Sequence, residues 1–206
     1  MLGTHNSLTC FPPRHWWMKP FSFIWKCQDA PWKDQLTHVD YFDLRIRFDR
    51  KGVVRFCHGL VDLECYASSV RGKSLGFEYV LLQLESYGRS CRVVLERGDS
   101  KENRKRMMDI LEPYLGAVVK SVVVKKGWVV LYSAVDEPDI IDYSYIPFYS
   151  DVPWWKQLGS LKISTPKRWA ERHNILSVTL AKRGKSIHFL DYIRLKNLKL
   201  EQEESK

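Results

Sequence analysis

The chain has 206 residues, 45% hydrophobic and 28% charged, a balance that fits an ordinary globular protein with one sizeable core. No run of about 18 apolar residues is present to cross a membrane, and the five cysteines, odd in number and without a C-x-x-C pair, argue against a disulfide framework and a zinc site. Lys plus Arg exceed Asp plus Glu by nine, which points to anionic partners: phosphate groups, nucleic acid or an anionic membrane surface. With no apolar leader at the N-terminus, the chain is expected in the cytoplasm or peripheral on a membrane, and secreted where a leader has been removed.

In chain order, Met1–Thr4 reads as a strand that delivers His5 and Asn6 to the rim of a sheet. "CFPPRHWWMKPFSFIW", Cys10 to Trp25, has three prolines and no clean period, so it is a long loop, a length usually tied to function. "QDAPWKDQL" is a short helix. "YFDLRIRFD" alternates Phe42, Leu44, Ile46 and Phe48 against Tyr41, Asp43, Arg45 and Arg47, a strand with an apolar and a polar face. "DRKG" turns the chain into "VVRFCH", a hairpin strand ending at His58. "SLGFEYVLLQLESYG" fits a helix with Leu75, Tyr79 and Leu82 on one stripe. "CRVVLERG" is the next strand, and "SKENRKRMMDILEPYLG" the next helix, capped by Ser100. Strand and helix in alternation predict an α/β parallel sheet. Further on, "VVKSVVVKKGWVVLYS" holds two β stretches, "STPKRWAERHN" a helix opened by Pro166, and "ILSVTLA" and "SIHFLDYI" two closing strands. One domain, residues 1–198, is expected, followed by a disordered charged tail, 199–206.

Ligands of parallel α/β folds sit at the carboxyl ends of the strands. There His5 and Asn6 from the first strand, Asp43 and Arg45 from the second, His58 from its hairpin and Glu96 from the third are expected to meet. "GTHNS", then "FDLR", then "CHG" resembles the X domain of phosphatidylinositol-specific phospholipase C and its bacterial relatives, closely over Met1 to Gly98 and weakly beyond. The resemblance implies a TIM-type (β/α) barrel. At this length, near the lower limit for such a barrel, it must be small and distorted or incomplete.

The resemblance also implies a phosphodiesterase acting on a phosphoinositide or other phosphodiester lipid. That reaction needs a base for the inositol 2-hydroxyl, a cation for the non-bridging oxygens and an acid for the departing glycerol oxygen. By the motifs, His5 is the base, His58 the acid, and Arg45 the phosphate clamp. Asp43 supports the acid side near His58. Asp191, at the end of the last strand, fixes the tautomer of His5. Asn6, Glu96 and Arg97 are placed at the substrate. In the metal-independent bacterial branch an aspartate stands at Asn6. In the calcium-dependent branch an asparagine stands there, with carboxylates at the positions of Asp43, Arg45 and Glu96. A guanidinium at Arg45 would repel a divalent cation, so no metal is expected; Asn6, Asp43 and Glu96 are the ligands if calcium is used. Trp16, Trp17 and Trp25, in the loop with Arg14, Lys19 and Lys26, are expected to touch a membrane surface. The alternative is a catalytically weak head-group binder that keeps the fold. Nucleic acid is not expected as a partner, since it would leave the histidine motifs unexplained.

Overall fold

The computed structural model describes residues 1–65, 69–70, 73–74, 76–125, 129–142 and 186–190. The first strand, β1 (Leu2–Thr4), is followed by two 3₁₀ segments, Ser7–Cys10 and Trp16–Phe21, and by the short helix α1 (Ser22–Trp25). The stretch read as one irregular loop therefore contains helical turns, including one that tolerates Pro20. Next come α2 (Trp32–His38), the long strand β2 (Tyr41–Phe48), its hairpin partner β3 (Val54–His58), β4 (Val61–Asp62) and the small pair β5 (Ser69–Val70) and β6 (Lys73–Ser74). The helix α3 (Phe77–Ser86), β7 (Ser90–Arg97), α4 (Lys101–Leu111), β8 (Val119–Val124), β9 (Val129–Ser133), β10 (Ile140–Asp142) and β11 (Ile187–Leu190) complete the described chain.

The main sheet runs β10-β11-β1-β2-β7-β8-β9. All its neighbours pair in parallel except β8 with β9, which form an antiparallel hairpin. This is the α/β class that alternation predicts. Among the described residues the sheet is open, with β9 and β10 at its two ends. The helix expected from "STPKRWAERHN", the strand from "ILSVTLA", and the 199–206 tail lie outside the described residues.

β2 shows how the sequence pattern becomes a layered core. Phe42, Leu44, Ile46 and Phe48 join a cluster with Val80, Leu81 and Leu84 of α3 and Met107 and Leu111 of α4. The other face is not solvated, as strand alternation would suggest for an antiparallel sheet. Tyr41, Asp43 and Arg45 are as buried as the apolar side, because the parallel sheet encloses them on its inner surface. The α3 stripe also differs from expectation. Phe77, Val80, Leu81 and Leu84 face inward, whereas Leu82 is exposed; Phe77 meets Phe56 edge-on at 5.7 Å. In "FEYVLLQL" apolar residues occupy overlapping helical faces, so spacing alone does not choose between them. The α4 reading holds: Ser100 accepts the Asn103 amide at 3.1 Å, and Met107 and Leu111 are buried.

Glycine in the "GTH" motif has a local cause. β1 lies between β11 and β2, and a Cβ at Gly3 would stand 2.4 Å from the Phe189 ring. Only a residue without a side chain lets the two strands pair at that register.

Candidate active site

The β1 ladder ends at Thr4 opposite Leu190, and the chain then turns through Asn6 at φ 47°, the one positive-φ non-glycine among the described residues. Asparagine tolerates this left-handed region better than most side chains. The turn is fastened to β2 from below: the Asn6 amide donates to Asp43 Oδ2 at 3.0 Å, and the Asp43 amide donates to Ser7 Oγ at 2.9 Å. Thus the "THNS" corner and the "FDLR" strand form one unit, which brings His5 above Arg45.

Arg45 is the hub. Its Nε donates to Asp43 Oδ2 at 3.0 Å, its Nη1 to Glu96 Oε2 at 3.2 Å, and its Nη2 to His5 Nε2 at 2.6 Å. A guanidinium has no acceptor, so this bond needs His5 Nε2 as the accepting nitrogen. All four residues are nearly inaccessible to solvent, none more than 7% exposed. Burial alone would raise the Asp43 carboxyl, but the Arg92 and Arg45 guanidiniums and His5 hold it far below the usual carboxylate range. Burial likewise raises Glu96, and Arg45 and Lys125 outweigh it to leave Glu96 lowered.

His58 stands at the end of β3. Its Nδ1 donates to the Trp25 carbonyl at 2.5 Å, which leaves Nε2 as the nitrogen that can exchange a proton. Burial, reinforced by Arg45 and His5, pushes its pKa down to about 4. The corner after it is held over the hub, since the Gly59 amide donates to Glu96 Oε1 at 3.3 Å, an oxygen that also accepts from Lys125 Nζ. A second clamp lies on Asp62. Arg47 reaches it with Nε at 2.6 Å and with Nη2, and Arg97 with Nη2 at 3.1 Å.

Several expected placements change. Asp43, expected near His58, contacts Asn6, Arg45 and Arg92 and lies 3.9 Å from His5 Nε2, because β2 runs under the β1 corner. Glu96 is the carboxylate that accepts from the Gly59 amide, directly after His58. Arg97 joins Asp62, so the structure gives it a part in holding the His58 corner. Trp25 is buried at 4% exposure, its indole donating to the Met18 carbonyl at 3.1 Å; it belongs to the core, whereas Trp16 and Trp17 are 77% and 53% exposed. Asp191 lies outside the described residues, directly after Leu190, whose carbonyl accepts the His5 amide at 3.2 Å.

Arg92, Lys125 and Gln28 were not anticipated. Arg92 donates to Asp43 Oδ1 at 2.7 Å and lies over the Phe189 ring at 4.5 Å. Alternation in "CRVVLER" puts Arg92 and Glu96 on one strand face, a signal that could have found it. Lys125 and Gln28 arrive through long-range folding and carry no local signature.

Calcium takes six to eight oxygens; of Asn6, Asp43 and Glu96, the two carboxylates are bridged by the Arg45 guanidinium. Among the described residues no group of three or more His, Cys, Asp or Glu is placed to hold a metal ion.

No family model and no curated protein matches the chain. Solved structures do. Phosphatidylinositol-specific phospholipase C from Listeria monocytogenes is 12% identical, with a TM-score of 0.56 over 100% of this chain and 92% of that one. A single-site variant of the phosphatidylinositol-specific phospholipase C from Staphylococcus aureus is 13% identical, with a TM-score of 0.54 over 93% of this chain and 85% of that one. A double-site variant of the S. aureus enzyme gives 12% and 0.53, over 93% and 84%. The chain therefore has the α/β fold of these phospholipases, a small and distorted TIM-type barrel.

Proposed function

We propose that the protein is a metal-independent phosphodiesterase of the phosphatidylinositol phospholipase C type, acting on a lipid or inositol phosphodiester. The observation that supports this most is the Arg45 guanidinium, seated between two carboxylates with one arm on His5 Nε2 at 2.6 Å. On binding, a non-bridging phosphate oxygen replaces His5 as the acceptor of Nη2, which frees the Nε2 lone pair. His5 then takes the proton of the inositol 2-hydroxyl as that oxygen attacks phosphorus. Arg45 holds the charge that builds on the phosphate, and the depressed Asp43 and Glu96 keep the guanidinium in place. His58 passes its Nε2 proton to the glycerol oxygen as the phosphorus–oxygen bond breaks, leaving a cyclic inositol phosphodiester and a diacylglycerol. Non-catalytic head-group binding is the second reading, suggested by Asn6, whose buried Oδ1 has no partner among the described residues. Assay of a fluorogenic inositol phosphodiester with and without chelator decides. Turnover indifferent to chelator supports the first reading; saturable head-group binding without turnover supports the second. Activity silenced by chelator and rescued by calcium overturns the metal-free account.

An acid depressed to about 4 is mostly neutral at neutral pH, so the substrate must reload it. An anion beside His58 favours its charged form and raises its pKa. In an NMR titration, His58 is expected near 4 in the free protein and to move upward by about a unit or more with myo-inositol 1-phosphate bound. A ring that titrates at the ordinary histidine value, unmoved by ligand, would contradict this loading step.

The exposed segment Trp16–Phe21 lies between β1 and Trp25, whose carbonyl accepts from His58 Nδ1. It presents Trp16, Trp17 and Phe21 with Arg14 and Lys19 beside them, a mix suited to an anionic bilayer. No helix among the described residues is long and apolar enough to cross a membrane, so this contact would be peripheral. Joint replacement Trp16→Ala and Trp17→Ala is expected to weaken binding to anionic vesicles by more than about tenfold, since each inserted ring removes on the order of 100 Å² from water. Hydrolysis of a soluble diester should stay within about twofold. Equal loss on both substrates, or a fall in melting temperature, would assign the rings to the core.

A further inference from the structure

The link from Trp25 to Gln28 touches both histidines. Trp25 provides the carbonyl that accepts from His58 Nδ1, and Cys27 Sγ lies 3.9 Å from that nitrogen and 3.7 Å from Asn6 Nδ2. Gln28 is fully buried, and its Nε2 donates to two carbonyls, that of His5 at 2.8 Å and that of Leu190 at 2.7 Å. The link is itself anchored: the Cys27 and Gln28 amides both donate to Thr9 Oγ1 at 3.0 Å, and that hydroxyl donates to the Asn6 carbonyl at 2.8 Å.

These bonds appear where the sheet stops supplying them. β1 is only three residues long, and its register with β11 ends at Thr4 and Leu190. His5 lies one residue beyond, and by Asn6 the backbone has turned left-handed. The Gln28 carboxamide has two hydrogens and directs them to the ends of two neighbouring parallel strands. A carboxylate of the same shape has none to give.

We propose that Gln28 is a positioning residue for the histidine pair. By tying the ends of β1 and β11 it sets His5 against Arg45 of β2 and, through the four-residue link to Trp25, sets the separation of His5 from His58. It touches no reacting atom. Its effect on turnover rests on the phosphodiesterase reading above; its effect on the His5 ring does not.

The test uses the full chain, labelled with ¹⁵N, and the variant Gln28→Met. In the wild type, both Gln28 carboxamide protons are expected to exchange slowly, and His5 Nε2 to resonate as a hydrogen-bonded acceptor nitrogen. In Gln28→Met that resonance should broaden or lose its shift. The kcat on a soluble inositol phosphodiester should fall about 100-fold, the scale of a misplacement near 1 Å, with KM within about threefold. Ser100→Ala, which removes the α4 cap far from the site, is the control for lost stability and should keep its kcat. A folded Gln28→Met with unchanged kcat and His5 signal would overturn the proposal, as would an equal loss of kcat in Ser100→Ala. Rapidly exchanging carboxamide protons in the wild type would overturn it without any variant. If the wild type cleaves no diester, the functional reading fails and the His5 resonance alone judges Gln28.

Discussion

His5→Ala is expected to lower turnover of a soluble inositol phosphodiester by about 10²- to 10⁴-fold, the usual cost of losing a positioned base. The ring is buried, and its Nε2 is the acceptor of Arg45 Nη2. His58→Ala should cost a similar factor from the acid side. The double variant should lose far less than the product of the two, because residues that act as a unit are not additive. Both single variants should melt cooperatively, since the apolar cluster of Phe42, Leu44, Val93 and Leu111 is untouched. Near-wild-type rates in either folded variant would remove histidine catalysis from the mechanism.

Arg45→Asp is expected to collapse metal-free activity and to make the protein respond to calcium. The substitution deletes the charge that bridges Asp43 and Glu96 and puts a further carboxylate between them. Breaking a buried ion network from one side costs about 3–5 kcal/mol, so the variant should melt well below the wild type without metal. With Asn6, Asp43 and Glu96 around the new carboxylate, an oxygen-rich site arises in which calcium offsets the repulsion. Millimolar calcium should then raise the melting temperature of Arg45→Asp, by linkage, while leaving the wild type unmoved. Part of the lost turnover should return. A melting temperature blind to calcium would show that these side chains do not converge as described.

The parts of this site that were legible in the sequence are the local ones. Gly3, His5 and Asn6 sit within four residues, Asp43 and Arg45 alternate on one strand, and His58 precedes the glycine that turns the hairpin, so short motifs carry them. The Ser100 cap and the β2–β3 hairpin were readable for the same reason. What escaped depends on closure. The inner face of β2 reads as polar, yet only the folded sheet makes it a buried ionic layer, and only there does Arg92 reach Asp43. Trp25 and Trp32 lie in proline-flanked segments that look wet. In the fold Trp25 packs into the core and Trp32 meets Phe42 edge-on at 5.1 Å, its indole donating to Gln83 Oε1. The resemblance sets Asp43 near His58, whereas in the fold the β1 corner settles over Asp43 and brings it to Asn6 and His5. Gln28, 23 residues from His5 and 162 from Leu190, had no short-range pattern at all.

The central claim is intramolecular phosphodiester cleavage with His5 as base and no metal. Phosphorus-31 NMR of a soluble inositol phosphodiester, incubated with the wild type in excess chelator, tests it most directly. The account predicts that a cyclic inositol phosphodiester appears first, at a rate that chelator does not change, and that His5→Ala yields none on the same timescale. A linear inositol monophosphate as the first product, or the cyclic product formed equally well by His5→Ala, would contradict it.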